Sequence, residues 1–160
     1  MHKTKNTLPK TVRAQSIKLL NELLAQAIDL HAKTKQAHWN VKGPNFIALH
    51  ELFDKVADEV EGFSDLIAER ATTLGGVAEG TLQVAVKRSP LKPYPLDLSD
   101  GRDHVERLSS VMADFGTAAR GAIDTATRFG DADTADLFTE VSREIDKQLW
   151  FVEAHLQAKR

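Results

Sequence analysis

Apolar residues recur at three- and four-residue spacings through most of the chain, the period of helices that each bury one face. After Pro9 the first such run carries Leu20, Leu23, Leu24, Ala27, Ile28 and His31 and continues to about His38. Asn40-Val41-Lys42-Gly43-Pro44 then predicts a turn, because its glycine and proline stop one helix and let another begin. The second pattern spans roughly Asn45 to Leu74, with Phe46, Leu49, Phe53, Val56, Val60, Phe63, Ile67 and Leu74 on one face, and stops at Gly75-Gly76.

From Gly75 to Gly101 the period is lost, and Ser89-Pro90-Leu91-Lys92-Pro93-Tyr94-Pro95 cannot continue a helix. This is a long connection with room for one short helix near Thr81 to Lys87. Helical spacing returns from about Asp100 to Arg128, through Val105, Leu108, Met112, Phe115 and Ala119, and ends at Gly130. A last pattern runs from about Asp133 to the carboxyl end, through Leu137, Val141, Ile145, Leu149, Val152 and Leu156. No strand alternation or internal repeat interrupts the pattern. The expectation is an all-α chain: two tight helical hairpins joined by one long crossover, the connectivity of a ferritin-like four-helix bundle. Residues 10–160 form that domain, and residues 1–9 are expected to be a flexible tail.

Composition narrows the chemistry more than the fold. The 160 residues include no cysteine, which excludes disulfides, zinc–thiolate knuckles, iron–sulfur clusters and thiol nucleophiles. The formal net charge of −2 argues against a general polyanion binder. The charged start, Met1-His2-Lys3-Thr4-Lys5-Asn6, leads into no apolar segment, and no run of 18 apolar residues occurs. A soluble cytoplasmic protein without a membrane partner is expected.

Metal sites inside ferritin-type bundles use Glu-x-x-His pairs, since residues three apart share a helix face. None is present, because no glutamate is followed three residues later by histidine. The second helix offers other donors: His50 and Asp54 are four apart, and so are Asp65 and Glu69. On a helical wheel with His50 at zero, these acids fall within about 100°, while the apolar face is centred near −95°. The stripe therefore points away from the chain's own core. Asp54 and Asp65 lie about 16 Å apart along the axis, against metal–ligand bonds of about 2.0 to 2.2 Å, so one chain cannot close both pairs around one ion. An antiparallel copy can. A two-fold axis near residues 59 and 60 sets His50 level with the partner helix's Glu69 and Asp54 level with its Asp65, giving two equivalent sites per dimer. Asp58 and Glu61 flank the same axis and would crowd acids there. His38, across the turn, is the nearest further nitrogen donor. A plain solvated face is the alternative, and spacing by itself does not choose between them.

The order of residues does. Lys35-Gln36-Ala37-His38-Trp39-Asn40-Val41-Lys42-Gly43, then Phe46, Leu49-His50-Glu51 and Asp54, then Asp65-x-x-x-Glu69-Arg70 and Leu74-Gly75-Gly76, resembles the Dps family of mini-ferritins. Asp133-Thr134-Ala135-Asp136 and Asp146-Lys147-x-Leu149-Trp150-Phe151 extend the resemblance through the last helix. It implies a hollow dodecamer that takes up ferrous iron, oxidises it with hydrogen peroxide and stores ferric mineral, protecting DNA from oxidative damage. Its ferroxidase centre lies between two subunits, with His38, His50 and Asp54 on one wall and Asp65 and Glu69 on the other. Imidazole and carboxylate suit iron and leave open positions for an oxidant.

The resemblance also makes Trp39 a relay for stray oxidising equivalents, against an ordinary packed aromatic. Lys35 is a candidate support to the ligands, against a solvated lysine. Asp131, Asp133 and Asp136 look like the lining of a cation-entry pore, while a local account also serves: acids favour a helix start, where Asp133 or Thr134 would cap. His31, His104 and His155 have no acid-partner pattern and read as structural or exposed.

Many Dps proteins bind DNA through a lysine-rich tail. Here Lys3, Lys5, Lys10 and Arg13 are the candidates. The tail is short and the assembled charge negative, so DNA contact would be weak and salt-sensitive. A nucleoid-shielding DNA binder with a secondary metal site is the rival reading.

Overall fold

The computed structural model describes residues 1–157. Five helices follow in chain order: α1 (Lys10–Asn40), α2 (Phe46–Thr73), α3 (Leu82–Arg88), α4 (Gly101–Phe129) and α5 (Ala132–Gln157). No strand occurs among the described residues; the only ladder contact recorded there is a parallel bridge between Lys42 and Asp100. The expected end of the last helix at residues 158–160 lies outside the described residues. None of the described helices is long and apolar enough to cross a membrane.

Local chemistry explains the boundaries. Gly43, with φ of 111°, turns the chain between α1 and α2, and Gly75, with φ of 85°, turns it after α2, backbone that favours glycine. Asp100 caps α4 by accepting the Arg102 N–H at 2.8 Å, and Gly130 closes it in the left-handed region. Asp131, not Asp133 or Thr134, caps α5: its carboxylate accepts the Thr134 N–H at 3.1 Å and the Thr134 hydroxyl at 2.6 Å. The cap falls at Asp131 because the helix starts one residue earlier than the apolar pattern indicates.

α1 packs along α2 and α4 along α5, and the two hairpins meet through α1–α4 and α2–α5 contacts while α3 rests on α1. Phe53, Phe115 and Phe138 are fully buried at the centre with Leu20, Leu30, Ile67 and Met112. On α5 the buried face runs through Phe138, Val141, Ile145 and Val152, so Leu137, Leu149 and Leu156 only flank it. Phe46 is exposed rather than buried, since it stands at the very start of α2, beyond the bundle's end.

Polar ties hold the crossover to the bundle. The Asn21 amide donates to Val77 O at 3.0 Å and accepts from the Glu79 N–H at 2.8 Å. Ser89 donates to Asp29, which also pairs with the buried Lys33 of α1. The first nine residues run along the molecule: the His2 N–H donates to Gly75 O at 2.6 Å, and Leu8 packs against the core.

Candidate metal centre

The tight α1–α2 turn brings the last turn of α1 beside the beginning of α2, and with them His38 and His50. Their rings stack with centroids 3.8 Å apart and planes 22° from parallel. Each Nδ1 meets the other residue's carbonyl: His38 Nδ1 and His50 O at 2.7 Å, His50 Nδ1 and His38 O at 2.9 Å. A carbonyl oxygen can only accept, so both Nδ1 atoms carry the proton, which leaves each Nε2 as the nitrogen available to a metal. This is how a metal-binding histidine is commonly held, with one nitrogen anchored and the other presented.

Asp54, one turn beyond His50, stands with Oδ1 3.7 Å from His38 Nε2. Lys35 Nζ donates to the same oxygen at 2.5 Å. That hydrogen bond, together with the nearby positive charge, holds the Asp54 carboxyl below the usual carboxylate range despite partial desolvation. Lys35 is therefore no solvated lysine; it balances Asp54, and its Nζ lies 5.9 Å from the centre of the Trp39 ring. Trp39 is 66% exposed, so the packed-aromatic alternative does not hold within one chain.

Asp65 and Glu69 are exposed on the same helix, further along. The structure thus brings His38, His50, Asp54 and Lys35 together and leaves Asp65 and Glu69 apart from them, with the separation that the helical rise demands. Among the described residues of one chain, no three histidine, aspartate or glutamate side chains stand close enough to hold a metal ion. Asp58 and Glu61 are exposed between the two groups.

The acids at the start of α5 divide. Asp131 is fully buried, and Arg70 of α2 donates to it from Nη2 at 2.7 Å and to Thr134 Oγ1 from Nε at 3.0 Å. Burial alone would raise its pKa, but the Thr134 hydrogen bonds and the Arg70 charge outweigh burial and hold it below the ordinary value. A carboxylate so enclosed cannot line a water-filled passage, which corrects its grouping with the pore acids. Asp133 and Asp136 remain exposed. The basic candidates divide likewise: Lys3, Lys5 and Lys10 are exposed, whereas Arg13 is half-buried and donates to Leu8 O at 3.2 Å and Leu74 O at 3.0 Å.

His104 carries more structure than its isolation in the sequence suggested. It is buried between α4 and the crossover, with Tyr94 and Leu98 as hydrogen-bond partners. The tyrosine ten residues earlier was the available signal. His31 is half-buried and His155 exposed.

Comparison with known proteins identifies the family. The ferritin-like domain family matches residues 17–160. A DNA protection during starvation protein of Agrobacterium fabrum is 48% identical over 158 residues, covering 99% of this chain and 98% of its own. A solved Dps of Mycobacterium smegmatis superposes with a TM-score of 0.92 at 32% identity, covering 98% of this chain and 95% of that one. A Dps of Microbacterium arborescens in its high iron form superposes with a TM-score of 0.88 at 30% identity, covering 95% and 99%. The chain belongs to the ferritin-like family and, within it, to the Dps proteins.

Proposed function

We propose that this protein oxidises ferrous iron at centres shared between two antiparallel subunits and stores the ferric product inside a twelve-subunit shell. The observation that carries the reading is the reciprocal anchoring of His38 and His50, which commits both Nδ1 atoms to carbonyls and leaves both Nε2 atoms for a metal, with Asp54 3.7 Å from that of His38. A metal-ligating histidine commonly has its other ring nitrogen anchored in this way, which fixes the ring's orientation. Asp65 and Glu69 of a neighbouring copy complete the donor set, because the α2 stripe is symmetric about residues 59 and 60.

Iron is substrate and cargo here. Two ferrous ions give one electron each to hydrogen peroxide, which takes up two protons and leaves as two waters, so no hydroxyl radical is released. Carboxylates and imidazoles without sulfur accept both oxidation states of iron. Lys35 balances Asp54 before metal arrives, and the exposed Trp39 beside His38 takes up stray oxidising equivalents. Asp133 and Asp136, repeated around a symmetry axis, form the negative funnel by which cations enter. Support for iron comes from the relative from Microbacterium arborescens, which was solved in a high iron form.

Protection of DNA follows from removing ferrous iron and peroxide together. Direct DNA contact through Lys3, Lys5 and Lys10 is secondary and weak, since Arg13 is engaged by carbonyls. The protein acts in the cytoplasm. His50→Ala or Asp54→Ala slows peroxide-dependent ferrous oxidation at least about tenfold while helicity is unchanged, because the stripe lies off the core. Oxidation at the unmodified rate in either variant removes that residue from the ligand set.

A further inference from the structure

His104 lies fully buried in the first turn of α4, and the metal centre makes no use of it. Its ring holds two points of the crossover at once, Leu98 O at 3.1 Å from Nε2 and the Tyr94 hydroxyl at 2.9 Å from Nδ1. The carbonyl only accepts, so Nε2 carries the proton. Burial holds the ring's pKa below the ordinary histidine value, so the imidazole is neutral at pH 7 and Nδ1 accepts from the Tyr94 O–H. One side chain thus clamps residues 94 and 98 to the start of α4.

The clamped segment leads directly to the turn that carries the ligands. Ser99 O, next to Leu98, accepts the Lys42 N–H at 2.8 Å. Gly101 sits so close to the turn that a Cβ there would lie 2.7 Å from Leu49 Cδ1 and 3.4 Å from Lys42 O. Lys42 follows His38 by four residues, and Leu49 immediately precedes His50. The His104 ring also lies 6.5 Å from that of Phe53, the residue before Asp54. Every route from the clamp therefore ends one to four residues from a metal ligand.

We propose that Tyr94 and His104 are positioning residues for the metal centre: they pin the end of the crossover against the α1–α2 turn and so fix the spacing of the His38 and His50 rings. The proposal rests on the reading of those histidines as iron ligands. A shift of a few tenths of an ångström in that turn is felt in ligand spacing, where affinity is decided, more than in the oxidation that follows binding.

The experiment uses the assembled full-length protein and Tyr94→Phe, which deletes one hydroxyl and keeps the ring. Two quantities are measured well below the melting temperature: the imidazole 15N–1H correlations of His38 and His50 in metal-free protein, and the ferrous-ion dependence of the oxidation rate. The His38 and His50 signals shift in the variant, and KM for ferrous iron rises about threefold to tenfold while kcat stays within about twofold. A folded, assembled variant with unmoved imidazole signals and unchanged KM overturns the proposal, even if it melts earlier. Should Tyr94→Phe not assemble, His104→Gln, with one amide in place of two ring nitrogens, is read by the same criteria. His50→Ala, run in parallel, separates the two claims. If it oxidises iron normally, the ligand reading fails and the positioning proposal, which depends on it, falls as well. If it is slow while Tyr94→Phe shows neither change, the positioning proposal alone fails.

Discussion

Lys35 shows how a single side chain prepares the site. Its ammonium lies 2.5 Å from Asp54 and keeps that carboxylate ionised well into acid. Lys35→Met removes the hydrogen bond and the charge, so the Asp54 pKa climbs back toward the ordinary value of about 3.9. The protonation midpoint of Asp54 therefore moves to higher pH in the variant. The Asp54 carboxyl carbon signal of the metal-free protein, followed by NMR from about pH 2 to 6, measures the shift, and superimposable curves would refute the pairing. At this scale the sequence was partly legible. His38, His50 and Asp54 could be named from residue type and spacing, but the reciprocal Nδ1 anchoring could not, because it depends on two backbone carbonyls that only the folded turn brings into place.

Among elements, the tie between α2 and the start of α5 rests on one buried ion pair. Arg70 and Asp131 join the two helices while Asp131 caps α5, so one carboxylate serves two purposes. Asp131→Asn leaves the Arg70 guanidinium only the exposed Asp133, whose Oδ2 lies 3.6 Å from Nη2, as counter-charge, at a cost of about 3 kcal/mol read from chemical denaturation of the assembled protein. The native pKa of Asp131 lies below its unfolded value, so its contribution is fully present above about pH 4 and is lost as pH falls through the native value. Loss of stability on acidification is therefore shallower in the Asn variant than in the unmodified chain. Charge and position near a helix start suggested that all three acids were alike. Asp131 differs because Arg70, sixty-one residues away, reaches it, a long-range pairing that local pattern does not encode. The helices themselves were readable to within two residues at each described boundary, since apolar period and glycine or proline stops act locally. The tail was read as free because it is short, charged and has no helical period. Its backbone bond to Gly75 and the packing of Leu8 are again contacts between distant parts of the chain.

For the whole molecule, the consequence of a helical rise of about 1.5 Å per residue is that ligands eleven positions apart cannot meet inside one chain. On the proposed ligand set, the centre is then a property of the pair of subunits. Spacing made that separation legible, because it depends on helix geometry rather than on packing detail, but the choice of a shared metal centre over a solvated face came from the residue order that resembles the Dps family. Subunit mixing tests it most directly. One variant carries His50→Ala and Asp54→Ala, the other Asp65→Ala and Glu69→Ala; each is assembled alone, and then both are dissociated and reassembled together in equal amounts. Each pure assembly is inactive in peroxide-dependent ferrous oxidation. In a random mixture half the dimers pair unlike chains, and each of these holds one centre built wholly from unaltered residues, so about a quarter of full activity returns. A mixture as inactive as its parents would contradict a shared centre and place all the ligands within single subunits.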